Sequence, residues 1–175
     1  MAITRRTLLR YGLGGGLLLL AGGAGLSLQP SRRRAPRAPL RALDERSFSV
    51  LAAVVDRMLP PRPGYPSAAE LGIAERVDAF LAEGDPAVAR EFRQALLLLE
   101  NGLAGFLFDG RARPFTRLPP EAQDRVLDAW RTSAWSFRRM VYRALHGLCM
   151  AVYFTCPEVF PAVGYPGPPP LGGAP

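Results

Sequence analysis

From about residue 44 to residue 154, apolar side chains recur at steps of three and four, and nothing alternates with period two over a useful length. That spacing lays an apolar stripe along an α-helix and argues against a half-buried sheet. Phe48, Leu51, Val55 and Met58 make the first stripe, on a helix over about 44–59 that Pro60-Pro61-Arg62-Pro63-Gly64 ends. Ser67 and Glu70 have the spacing of a capping box, in which each side chain satisfies an otherwise unpaired backbone amide. A second helix is expected from there, softened at Gly72, with Ile73, Val77, Phe80 and Leu81 inward. Asp85-Pro86 supplies an N-cap followed by proline at the first helical position, and Val88, Phe92, Leu96 and Leu99 form the third stripe, stopped near Gly102.

Residues 103–117 are less regular: Leu103, Phe106, Leu107 and Phe108 form an apolar knot ahead of an Asp109-Gly110 turn. Pro119-Pro120-Glu121 opens another helix with Val126, Leu127 and Trp130 inward. Residues 134–154 give the last and longest, carrying Trp135, Val141, Tyr142, Leu145, Leu148, Val152 and Tyr153. The segment 157–175 holds seven prolines and four glycines, which exclude helix and central strand. Its Val159, Phe160, Val163 and Tyr165 need a surface to lie against. The expected fold is therefore all-α: a small irregular bundle of about five helices over 44–156, with an extended Pro/Gly-rich tail over 157–175.

The formal charge of +7 suggests a nucleic-acid or membrane partner until it is located along the chain. Residues 1–41 hold eight arginines and no acid, whereas the rest holds fourteen arginines against fifteen acids. The basic character belongs to the first segment, so a nucleic-acid role for the body loses its support.

Within that segment, Thr4-Arg5-Arg6-Thr7-Leu8-Leu9-Arg10 resembles the bacterial twin-arginine export signal, with Arg5, Arg6, Leu8 and Leu9 at its defining positions. Residues 11–31 carry no charge, and glycine fills seven of the positions from 12 to 28. A stretch that weakly apolar suits a twin-arginine leader better than a firm membrane span. Arg32-Arg33-Arg34 follows at once, a charge pattern that the twin-arginine route tolerates and the general secretion route resists. The leader is thus assigned to 1–31 and a basic, proline-containing linker to 32–43. An ordinary membrane anchor with basic flanks is the competing reading. The expected location is the periplasm or the periplasmic face of the inner membrane. The run Gly12-Leu13-Gly14-Gly15-Gly16 opens no βαβ unit and is not a nucleotide loop.

Reactive groups are few. His146 is the only histidine, with Cys149 three residues on and Cys156 seven further. Glu158 is the one acid near them, short of the four ligands a structural metal site wants, so no metal, cofactor-binding or catalytic residue is assigned. If one helix ran through both cysteines, they would sit roughly 10 Å apart, beyond the ~7 Å a disulfide spans, so an internal bridge requires the helix to end near Phe154, as Pro157 allows. A bridge to a partner chain is then an open alternative for either thiol. Arg138, Arg139 and Arg143 on the long helix would pair with Glu121, Asp124 or Asp128, with acids on a partner, or with water. No CxxCH motif for covalent haem occurs.

Taken together, the twin-arginine leader, Asp56-Arg57-Met58-Leu59-Pro60-Pro61, Ala69-Glu70-Leu71-Gly72-Ile73, Arg138-Arg139, Tyr153-Phe154 with Pro157-Glu158, and Gly164-Tyr165-Pro166-Gly167-Pro168 resemble the gluconate 2-dehydrogenase subunit 3 family. The likeness spans most of 44–170. It implies a small, non-catalytic subunit accompanying a large flavin-dependent dehydrogenase of the glucose-methanol-choline type, often with a multihaem cytochrome c subunit. The flavin (FAD) would sit in the large subunit. That subunit would fold in the cytoplasm and cross the membrane through the Tat translocase as a passenger of the small one. The residues expected to face a partner are Arg138, Arg139, Cys149, Tyr153, Phe154, Cys156, Gly164, Tyr165, Pro166 and Gly167. The alternative is a stand-alone, membrane-tethered helical binding protein.

Overall fold

The computed structural model describes residues 31–168, apart from the side chains of Leu103, Phe106, Phe108 and Asp109. The leader, with Arg5, Arg6, Leu8 and Leu9, and the tail from 169 onward lie outside the described residues. Among the described residues, six helices of eight residues or more occur in order: α1 (Glu45–Met58), α2 (Ile73–Glu83), α3 (Pro86–Glu100), α4 (Gly102–Asp109), α5 (Pro120–Arg131) and α6 (Ser136–Phe154). Among the described residues there is no strand, and the all-α expectation holds.

Helix α1 is the centre of the bundle. Asp44 caps it by accepting from the Ser47 amide at 2.8 Å, and the Ser47 hydroxyl reaches back to the Asp44 amide at 3.2 Å. From Ser47 to Val55 only Ala53 escapes burial, and α1 touches α2, α3, α5 and α6. A helix apolar nearly all round belongs inside a bundle. Trp130 of α5, Phe115 and Leu145 of α6 complete the core, each almost wholly buried.

Three residues expected inside are more than half exposed: Phe80, Val88 and Trp135. Phe80 lies at the edge of the α2 stripe, about 90° around from its centre at 100° per residue. Val88 sits in the first turn of α3, ahead of Phe92, where that helix first reaches the core. Trp135 is the N-cap of α6 rather than part of it, and its ring lies 5.8 Å from that of Phe137.

The second helix also starts later than Ser67. The Ser67 and Glu70 bonds form, at 3.0 and 3.1 Å, but they close a separate turn. That turn ends where Gly72 takes φ +61°, a left-handed conformation that costs side-chain-bearing residues energy, and α2 begins at Ile73. The apolar knot near 103 is helix α4, and a 3-10 turn over Phe115–Arg117 follows it.

The stretch read as a linker has no helix, yet it is fastened to the body. The Arg32 amide donates to Thr116 Oγ1 and the Arg34 amide to Ser49 Oγ, both at 2.9 Å. The Arg37 amide donates to Glu75 at 3.2 Å. The buried Asp78 carboxylate of α2 then accepts three consecutive amides, those of Arg41, Ala42 and Leu43, at 2.7, 3.1 and 2.7 Å. Ion pairs of Arg34 with Asp56 (2.7 Å) and Arg41 with Glu83 (3.2 Å) lie over these backbone bonds. The segment is a strap.

The first part of the tail also departs from expectation. Pro157–Val159 is a 3-10 turn and Phe160–Val163 a single helical turn, here α7, so proline did not exclude helix. Each proline sits in a first turn, where its missing N–H has no partner to lose. Extended chain resumes only after Gly164.

Candidate partner-binding groove

Four pieces of chain that are distant in sequence converge on one side of the bundle: the end of α1, the loop after it, the end of α6, and α7. The proline-rich loop 60–66 cannot form a helix, and the Tyr153 hydroxyl pins it by donating to the Pro66 carbonyl at 2.8 Å. Between loop and helix runs a groove of about 160 Å³, lined by Met58, Leu59, Tyr65, Met150, Phe154 and Val163 among others. Its polar groups are few, with Arg62 the only charged one. Tyr65, Phe154 and Val163 at the groove, with Tyr165 beyond it, are 38 to 47 % exposed. Clustered apolar side chains left in water are the usual mark of a surface that another body covers.

The tail motif closes this side by a folded path. Gly164 takes φ +68° and ends α7, which lets the Tyr165 amide donate to the Phe160 carbonyl at 3.0 Å. The Tyr165 ring then meets Phe160 edge to face at 4.9 Å. Gly167 turns again at φ +99°, where an added Cβ would come within 4.0 Å of the Phe160 ring. The glycines of Gly164-Tyr165-Pro166-Gly167 are thus required by the turn, and the tyrosine is what the turn displays.

The residues expected to face a partner therefore divide. Tyr153, Phe154, Gly164, Tyr165, Pro166 and Gly167 come together at or beside the groove. Arg138 and Arg139 lie at the other end of α6, roughly 24 Å from Phe154 at 1.5 Å per residue. Arg138 is buried, with its guanidinium 5.1 Å from the Trp130 ring centroid. Arg139 folds back to donate to the Ala134 carbonyl, just ahead of its own helix, at 2.9 Å. Of the acids proposed for them, Asp124 lies 3.9 Å from Arg57 and Asp128 pairs with Arg131 at 2.7 Å. Sequence reasoning placed Met58 in the first stripe rather than at a groove and passed over Tyr65 and Met150, whose signal is little more than apolarity.

Both cysteines are free and buried. Burial pushes the Cys149 thiol up to about 12. Burial also raises Cys156, against the pull of the Arg76 guanidinium 3.3 Å from its sulfur, while its thiol donates to the Val152 carbonyl at 3.2 Å. Neither sulfur offers a thiolate at the surface. His146 stacks on Tyr142 at 5.7 Å. Among the described residues no three His, Cys, Asp or Glu side chains gather as a metal site would need, and no helix is long and apolar enough to cross a membrane.

A family model described as gluconate 2-dehydrogenase subunit 3 matches residues 45–167. The chain belongs to the gluconate 2-dehydrogenase subunit 3 family. The match opens at the first residue of α1 and closes at the second glycine of the tail turn, so it takes in every element of the groove. The leader and the strap lie outside it. No curated protein and no solved structure matches the chain. The family is named for a dehydrogenase subunit, and membership sets this fold among the accessory chains of such a complex.

Proposed function

We propose that this chain is the non-catalytic small subunit of a periplasmic dehydrogenase. It binds and stabilises a large FAD-dependent partner of the glucose-methanol-choline type and supplies the twin-arginine signal that exports it. The family match over residues 45–167 carries the reading. Three features support it: the Arg5-Arg6 leader, an apolar groove built from family-matched segments, and cysteines too deeply buried to act as nucleophiles.

In this reading the groove receives an apolar segment of the large subunit. The flavin stays in that subunit, a multihaem cytochrome c takes up its electrons, and the Tat translocase carries the folded pair. Tyr65 at the groove and Tyr165 beyond it offer hydroxyls for orientation, while Met58 and Met150 adapt to the inserted side chain.

The test uses the native host, or a host carrying both subunit genes, and reads dehydrogenase activity in periplasm and cytoplasm. Arg5→Lys with Arg6→Lys should strand the activity in the cytoplasm. Phe154→Glu should leave this chain exported and folded while the large subunit fails to co-purify. Undiminished periplasmic activity in the first variant, or undiminished co-purification in the second, overturns the corresponding half of the proposal.

A further inference from the structure

Where the strap crosses the start of the 3-10 turn, its bonds to Thr116 and Ser49 leave a second cleft of about 280 Å³. Arg32, Arg33, Arg34 and Arg57 line it, together with Thr116 and Gln123. Each guanidinium carries five N–H donors, twenty in all, and few of these are used among the described residues. Arg34 reaches Asp56 at 2.7 Å and the Ala52 carbonyl at 3.5 Å. Arg33 meets Glu45 only at 3.5 Å, with both side chains in water. Arg57 approaches Asp124 at 3.9 Å, and its Nε–H is buried with no acceptor among the described residues. The Arg32 guanidinium has no bond among the described residues; only its backbone amide is engaged.

The carboxylates nearby are already engaged. Asp56 holds Arg34, and Glu100, behind the cleft, takes both the amide and the hydroxyl of Thr116 at 2.9 and 2.7 Å. What remains is a pocket in which N–H donors far outnumber acceptors, a buried unsatisfied donor among them. Such a site is completed by an anion with several oxygens.

We propose that this cleft binds the phosphodiester of an anionic phospholipid headgroup. The position of the arginines selects the lipid over a soluble phosphate. They follow directly on residues 11–31, which carry no charge, so any bilayer touching that stretch presents its headgroup layer at Arg32 to Arg34. The cleft, at about 280 Å³, is small. That suits a headgroup and leaves the acyl chains outside. The inference stands apart from the dehydrogenase partner and survives or fails without it.

The full-length, nitrogen-15-labelled chain is titrated with dihexanoylphosphatidylglycerol below its micelle concentration, and amide shifts are followed. Saturable shifts are expected at Ser49, Ala53, Thr116 and Gln123. Arg32→Gln with Arg57→Gln should weaken binding by about 25-fold, about fivefold for each arginine. Arg90→Gln, an exposed site on α3 that does not line the cleft, should leave it unchanged. The same spectra report whether the double variant is folded; if it is not, Arg32→Gln alone, at an exposed position, carries the comparison. Inorganic phosphate is the second probe. Equal shifts at equal concentration would overturn the lipid in favour of a soluble anion. No shifts at these residues with either probe, or equal weakening by Arg90→Gln, would overturn the site.

Discussion

The strap depends on one side chain more than any other. Asp78 is 2 % exposed and accepts three successive backbone amides, so Asp78→Ala removes three hydrogen bonds at once. The Leu43 amide is buried, and losing its acceptor costs about 1–3 kcal/mol. The Arg41 and Ala42 amides are only partly buried and recover water, so each adds about 0.5–1 kcal/mol. The sum is about 3 kcal/mol, a large share of the ~5–15 kcal/mol that holds a domain together. With a urea dependence of about 2 kcal/mol per molar, the unfolding midpoint followed by circular dichroism should fall by about 1.5 M. Asp78→Asn keeps one oxygen and turns an amide group toward the remaining donors, so it should lose most of the same stability. Hydrogen exchange gives the local reading: the amides of residues 41–43 should lose protection in both variants. A midpoint within about 0.3 M of wild type, with Leu43 still protected, would show that Asp78 does not hold the strap and refute the reasoning.

Two further outcomes follow from the same geometry. Cys149 should resist iodoacetamide in the native protein at pH 8 and react once urea unfolds it; native labelling, read by mass spectrometry, would contradict its burial. Its raised folded pKa also sets a sign. The thiol's contribution is intact below the unfolded value, near 8.5, and is lost as pH rises from there toward about 12, so alkaline solutions should destabilise the fold through this group. Gly72→Ala places a side chain at φ +61° with only an ordinary 3.5 Å contact to Glu75, so strain alone should cost about 1–2 kcal/mol. A thermal midpoint unchanged by that substitution would remove the conformational role given to Gly72.

Much of this fold is written in side-chain pattern, and what is not written there was not readable. Phe48, Leu51 and Val55, then Phe92, Leu96 and Leu99, then Val126, Leu127 and Trp130 all lie in the core where their spacing put them. The expected cap at Asp85 forms, because a short acidic side chain before a helix has few better partners than the first free amides. The strap escaped notice for a physical reason. It is held through backbone N–H groups, which every residue but proline possesses, and its acceptors Ser49, Glu75 and Asp78 look like ordinary polar positions on helices. Helix α4 was hidden by Gly102 and Gly105, which lower helix propensity even where tertiary contacts enforce a helix. The tail turn was misread because proline forbids a helix interior but not a helix start.

The misassigned positions share a cause. Periodicity counts apolar residues without asking which body covers them. Phe80, Val88 and Trp135 have the spacing of core residues and lie in water, as do Phe154 and Tyr165 at nearly half exposure. Leaving one large apolar side chain out of the core forgoes about 1.5–3 kcal/mol of burial. A chain of this size buries about 70 % of its surface on folding, and in isolation residues placed this way add nothing to that. In the proposed complex a second surface would supply the missing burial. The groove adds direction to that argument, since Tyr153 spends its hydroxyl on fixing the loop that shapes one wall. A subunit whose work is to hold another protein would be built in this manner: a core sufficient to fold, and an apolar remainder kept for the partner.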